Sequence, residues 1–130
     1  MMQLELVTAE ALKYKGAAQQ VLLPGVMGEM GILTSHSPLV TMLDPGIVRV
    51  DTPSGEQIRY VVSQGFATVA NDEVVCLVDA ALEPKEVKVE EVKTRLAVLE
   101  TELAASPNAL ERTRMEIRFL KAQLQLVGSV

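Results

Sequence analysis

Three groups of residues in this chain carry side chains or backbone able to do chemistry: a glycine-rich run, a lone histidine between serines, and a lone cysteine. Gly25-Val26-Met27-Gly28-Glu29-Met30-Gly31 has the spacing G-x-x-G-x-x-G. Phosphate cradles instead use G-x-G-x-x-G between a strand and a helix, or a G-x-x-x-x-G-K-[ST] loop. Neither fits, and the run reads as a pair of tight turns that need a permissive backbone. His36 is the only histidine, and Cys76 lies far from it in the chain. A zinc site needs three or four Cys, His or carboxylate ligands. Ser35 or Ser37 with His36 and Asp44 has the composition of a nucleophilic triad, but neighbours in a strand point to opposite faces and would not converge. No G-x-S-x-G elbow is present either. His36 therefore reads as a packed or interface residue. No paired carboxylates stand out. The expectation is no catalytic residue, no metal site and no cofactor.

Composition narrows the alternatives. The chain has 130 residues, 48% hydrophobic and 22% charged, with 3% aromatics and no Trp, so its core is built from aliphatic side chains. A net charge of -5 argues against a uniform nucleic-acid binder, which needs Lys and Arg for phosphates. The charge is uneven. Residues 107 to 130 hold Arg112, Arg114, Arg118 and Lys121 against Glu111 and Glu116, a net +2, which leaves -7 for the rest. Such a segment suits an acidic partner, or simply a solvated helix face. One cysteine rules out an intrachain disulfide. No apolar run approaches the ~20 residues of a membrane span, and the first ten residues have neither the apolar core of a signal peptide nor the basic character of a transit peptide.

The elements that would position these residues fall into two regions. In the first, Leu4-Glu5-Leu6-Val7, Gln20-Val21-Leu22-Leu23, Ile47-Val48-Arg49-Val50, Ile58 to Val62, Phe66 to Val69 and Glu73 to Val78 read as short strands. Pro24-Gly25, Thr52-Pro53-Ser54-Gly55, Ser63-Gln64-Gly65 and Asn71-Asp72 separate them as turns. Close spacing of short strands predicts an all-β sandwich or barrel. From about residue 86 onward only Gly128 and Pro107 remain as breakers, and the period changes. Val89, Val92, Leu96, Leu99 and Leu103 form the seam of a helix that packs on a helix. Ser106 and Pro107 read as N-cap and first residue of a second helix running to about Val127, antiparallel to the first. That second helix has two stripes: Ile117, Leu120, Leu124 and Val127, and on nearly the opposite side Met115, Phe119, Ala122 and Leu126. One covers the first helix; the other needs the sandwich or another protein.

Val21-Leu22-Leu23-Pro24-Gly25, Gly28-Glu29-Met30-Gly31-Ile32-Leu33, His36-Ser37-Pro38-Leu39-Val40-Thr41, Pro45-Gly46-Ile47-Val48-Arg49-Val50, Tyr60 to Phe66 and Leu77-Val78-Asp79-Ala80-Ala81 closely resemble the epsilon subunit of bacterial and chloroplast F-type ATP synthases, and its mitochondrial counterpart, the delta subunit. The match runs in order along essentially the whole chain. It implies a sandwich of about ten strands over residues 1–84 and an antiparallel helical hairpin over 85–130. It implies a non-catalytic subunit at the foot of the central stalk, between gamma and the c-ring. Gly28, Glu29, Met30 and Gly31 would lie in a loop that meets the c-ring. Thr8, His36 and Thr41 match positions that face gamma. Arg112, Arg114, Arg118 and Lys121 would reach the alpha/beta catalytic head when the hairpin extends, blocking ATP hydrolysis. Such a subunit would be peripheral at the cytoplasmic face of a bacterial inner membrane, or at a thylakoid membrane. Some relatives bind ATP through an I/L-D-x-x-R-A motif; here Val87-Lys88-Val89-Glu90-Glu91-Val92 reverses both charges, at Lys88 and Glu91, so nucleotide sensing of that kind is not expected. A stand-alone sandwich adaptor binding a helical protein is the alternative reading.

Overall fold

A computed structural model describes residues 2–106, 108 and 111–128. Among them ten strands precede two helices: β1 (Met2–Val7), β2 (Leu12–Ala18), β3 (Gln20–Gly25), β4 (Gly28–Leu33), β5 (Leu39–Leu43), β6 (Gly46–Asp51), β7 (Gln57–Val62), β8 (Gly65–Ala70), β9 (Glu73–Val78), β10 (Ala81–Leu82), α1 (Val89–Ala105) and α2 (Glu111–Leu126). A single 3-10 turn at Pro84–Glu86 links strands to helices. The expected sandwich and hairpin are both present.

The strand order is β10-β7-β6-β3-β5-β8-β9-β1-β2, with β4 paired to β3. The pivot is β3. Gln20, Val21 and Leu22 pair with β6, whereas Gly25 pairs with Leu43 of β5. Val26 N–H donates to the Met42 carbonyl (3.1 Å) and Asp44 N–H to the Pro24 carbonyl (2.9 Å), which completes that switch between layers. A strand that changes partners midway divides the ladder into two facing layers, β10-β7-β6-β3-β4 and β5-β8-β9-β1-β2. Between them lie Leu4, Leu6, Val21, Leu23, Ile32, Val48, Val50, Val62, Val74 and Cys76, all buried. Alternation along each strand supplies these inward residues. Gly65 is needed for closeness, since a Cβ there would run into the Leu77 carbonyl and Val78 backbone. The β8–β9 turn has positive φ at both Asn71 (52°) and Asp72 (60°), the left-handed pair that matches strand twist in a two-residue hairpin.

The hairpin seam is as expected: Val92 and Leu99 pack with Ile117, Leu120 and Leu124, joined by Val89, Leu96 and Leu103. Arg95 and Glu116 bridge the helices through two hydrogen bonds of 2.9 and 3.3 Å. The second stripe of α2 finds its cover within the chain. Ala122 and Leu126 are buried against Val61, with Phe119, Ile47, Leu82 and Val87 around them. Ser106 differs from expectation. It ends α1, donating its N–H to the Glu102 and Leu103 carbonyls, and Asn108 lies in a turn, so the described α2 begins only at Glu111. Backbone at a helix end offers free carbonyls as well as free amides, and Ser106 serves the former. Pro107 lies outside the described residues.

The two leucines of the α1 seam should behave differently on truncation. Leu99 is 2% exposed whereas Leu96 is only partly buried. Leu99→Ala should destabilise the hairpin by about 2–5 kcal/mol, and Leu96→Ala by clearly less. Hydrogen exchange of the helix amides measures both; equal effects would contradict this seam.

Candidate functional site

The glycine-rich run forms one turn and one strand. β3 and β4 pair along their length, with Gly25 opposite Gly28, so the loop between them is Val26-Met27 alone. Gly28 has φ 124°, which that tight reversal requires. Glu29 therefore lies on strand β4, not in a loop, and alternation sorts its neighbours. Glu29 and Gly31 are exposed, while Met30 packs toward the core beside Ile32. Of the four residues expected at a c-ring contact, Met30 is thus largely spent on packing. The tip itself carries Met27, 97% exposed, and the exposed Val26. Neither was singled out from sequence. The signal was present in Pro24-Gly25 and Gly28 bracketing two apolar residues, which turns them out of the core.

His36 lies in the loop after β4 rather than on a strand. Its Nδ1 is 2.7 Å from the Ser37 carbonyl and its N–H donates to the Leu33 carbonyl (3.1 Å). Asp44 faces Arg118 instead. A triad fails because of these partners, and the strand-alternation argument against it does not apply to a loop. The neighbouring Ser35, at φ 67°, donates its N–H to an Asp72 carboxylate oxygen (2.6 Å), so this loop is fastened to the β8–β9 turn. Thr8 follows β1 at the other end of the layer. It is buried, and its hydroxyl and backbone are spent on Ala11, whose N–H reaches Thr8 Oγ1 at 3.2 Å. Thr41 shares the inward side of β5 with Leu39 and Leu43. Thr8, His36 and Thr41 thus do not form one cluster: His36 and Thr8 mark opposite ends of the β9 length, about 17–20 Å apart at ~3.4 Å per residue.

What lies between them is apolar. The register aligns Leu12, Val7, Leu77, Phe66 and Met42 across β2, β1, β9, β8 and β5. Glu5, Val75, Thr68 and Val40 form the next row. Val40 is 73% and Met42 60% exposed, and Leu12, Phe66 and Leu77 are also exposed. A layer facing water on one side normally alternates apolar-in and polar-out. Here the outward row is apolar too, and among the described residues no element covers it. Recognising it from sequence would have required the register.

The basic residues of α2 divide. Arg112 and Lys121 are exposed, while Arg118 pairs with Asp44 at 3.6 Å and donates to Met115 sulfur at 3.7 Å. Arg114 also has an interaction. Lys88 stands just before α1 and Glu91 is exposed on its first turn. A cleft of about 590 Å³ near the hairpin is lined by Leu96, Lys121, Leu124 and Gln125. Among the described residues no group of three or more His, Cys, Asp or Glu could hold a metal. Burial pushes the Cys76 thiol up to about 12, which removes its nucleophilic form at neutral pH. Among the described residues no helix is long and apolar enough to cross a membrane.

Comparison with known proteins agrees with this geometry. The family described as ATP synthase, Delta/Epsilon chain, beta-sandwich domain matches residues 1–98. The chain is 35% identical over 130 residues to ATP synthase epsilon chain 2 of Ralstonia nicotianae, spanning 100% of this chain and 88% of the relative. It is 34% identical over 122 residues to the ATP synthase epsilon chain of Stenotrophomonas maltophilia, spanning 94% and 87%. Its fold is shared with a chain in the cryo-EM structure of Euglena gracilis mitochondrial ATP synthase, at TM-score 0.80 and 23% identity over 93% of this chain and 78% of that one.

Proposed function

The chain belongs to the ATP synthase delta/epsilon family, and on that premise we propose that it is a non-catalytic rotor subunit of the central stalk, linking gamma to the c-ring and restraining ATP hydrolysis through its helices. The observation that carries this reading is the uncovered apolar row Leu12, Val7, Leu77, Phe66 and Met42. Contiguous outward apolar surface of this kind marks a protein interface. Its occupant is gamma, with Thr8 and His36 near the two ends of the contact and Val40 and Met42, which flank the inward-facing Thr41, at its β5 edge.

A rotor subunit has to pass torque without doing chemistry, and the parts suit that work. The sandwich is a packed, stiff body. Its gamma face belongs to the β5-β8-β9-β1-β2 layer. Its foot, Met27 with Glu29, Gly28 and Gly31, projects from the β3–β4 hairpin of the other layer and meets the polar loops of the c-ring. Proton flow turning the ring then turns gamma through this body, and ATP synthesis follows in the head. Residues 1–84 act as the coupling unit and 85–130 as the regulatory one. Docked, the hairpin covers its own sandwich; extended, it would present Arg112, Arg114, Arg118 and Lys121 to acidic groups of the alpha/beta head. The complex holds the chain peripherally at the cytoplasmic face of a bacterial membrane, or at a thylakoid membrane.

Three measurements test these assignments. Replacing Met42 and Phe66 together by Glu should weaken co-purification with gamma by at least about 100-fold, because unpaired carboxylates would be buried in the contact. Both positions are exposed, so the free subunit should melt as before; retained gamma binding would exclude this face. At the foot, Met27→Asp and Glu29→Lys should each lower proton pumping per ATP hydrolysed in the assembled enzyme, and intact coupling in both would remove the hairpin tip from the c-ring contact. For regulation, deleting residues 107–130 should raise ATP hydrolysis by the assembled head while gamma binding persists. Unchanged hydrolysis would limit the helices to assembly.

A further inference from the structure

Arg118 has a partner in the docked hairpin that sequence did not foresee. Its Nη1 lies 3.6 Å from Asp44 Oδ1. Asp44 sits between β5 and β6 and is fixed by its backbone N–H to the Pro24 carbonyl (2.9 Å). The carboxylate is therefore presented from the sandwich at a set height over the face on which α2 lies. The apolar part of this docking is modest, with Val61, Ala122 and Leu126 buried and Ile47, Leu82, Val87 and Phe119 partly so. With so small a contact, one ion pair can move the balance between docked and free.

The other side of the hairpin is fastened differently. Glu86 receives the Glu83 N–H (2.9 Å) and faces Lys13 Nζ (3.4 Å), and that backbone hydrogen bond, foremost among the causes, holds its carboxyl below the ordinary range. Tyr60 ties the same strand down through its hydroxyl, which donates to the Lys13 carbonyl (3.0 Å). The 3-10 linker is thus bound to the sandwich by contacts that do not involve α2. Lys88, at φ -99° and ψ 88°, is the non-helical residue between this anchored turn and α1. A hairpin leaving the sandwich would pivot near Lys88, with the linker staying behind and the Asp44–Arg118 pair breaking.

We infer that Asp44 is an internal decoy for Arg118, occupying the arginine in the docked state and releasing it to an acidic partner only when the hairpin lifts. This rests on the rotor reading for the identity of that partner, but not for the latch itself. Asp44 and the partner then compete for one guanidinium, so the latch sets how readily the arm engages. Both groups are partly exposed, so the pair is worth a small factor and is weakened by salt.

The test uses the free full-length chain first. Asp44→Asn and Arg118→Gln should each speed hydrogen exchange of the α2 amides from 117 to 126 about two- to five-fold, with sandwich amides unchanged. The exchanged pair, Asp44→Arg with Arg118→Asp, should restore protection lost in Asp44→Arg alone. Unchanged exchange in both single variants, or no rescue by the pair, overturns the latch whatever the protein does in the complex. In the assembled enzyme the same variants should part company: Asp44→Asn frees an intact arginine and lowers ATP hydrolysis, whereas Arg118→Gln does not lower it. Release in the free chain with equal hydrolysis in both assembled variants would overturn the decoy role, and with it the inhibitory use of Arg118, while leaving the latch standing.

Discussion

The burial of Val61 is the constraint on which the rest of the arrangement turns. Tyr60, Val61 and Val62 are consecutive and all buried, which a strand permits only when both of its faces are covered. Tyr60 and Val62 face the sandwich core, and Val61 faces α2. Lifting α2 would return Val61 and its neighbours to water at roughly 25 cal/mol per Å² of apolar surface. The opposite layer has no such cover among the described residues. Among the described residues the molecule thus has two apolar outer surfaces, one closed by its own helix and one left open.

Much of this architecture was legible in the residues. The switch from period two to a three-four spacing placed the helices, and the seam from Val89 to Leu103 was readable because helix periodicity needs no knowledge of partners. Strands with clean alternation, such as Leu4 to Val7, were equally plain. Two of the strands not read from the alternation have a composition that argues for something else. Leu12 to Ala18 is rich in Lys, Gly and Ala, and Gly28 to Leu33 resembles a loop until Gly25 is seen to pair with Gly28. The run Tyr60-Val61-Val62 reads from sequence only as part of a strand; that α2 covers its second face emerges from the structure.

The candidate site was less legible, for a physical reason. Its parts are defined by register and by chain reversal, which are relations between distant residues. Val40 and Met42, not Thr41, lie on the open face because β5 places them there opposite Thr68 and Phe66. Met27 belongs to a run that reads as tight turns, and its place at the tip of the molecule is fixed only once Gly25 is seen to pair with Gly28. Arg118 shows the converse: its charge was readable, but Asp44 as its partner emerges only when α2 lies across the strands. The family resemblance implies the partners; register and chain reversal decide which neighbouring side chains are free to meet them.

The state of Cys76 has a consequence for how this molecule can be studied. The thiol is buried in the middle of the sandwich, and its proton is held far more tightly than that of an ordinary cysteine. Alkylating reagents and disulfide exchange act on thiolates, so the folded chain is chemically silent toward them. A cysteine placed on the tip, the open layer or the hairpin would then be the single fast-reacting atom in the subunit. Fluorophores and cross-linkers could be installed one at a time without first removing the native sulfur, and a reaction at Cys76 would itself signal that the two layers had come apart.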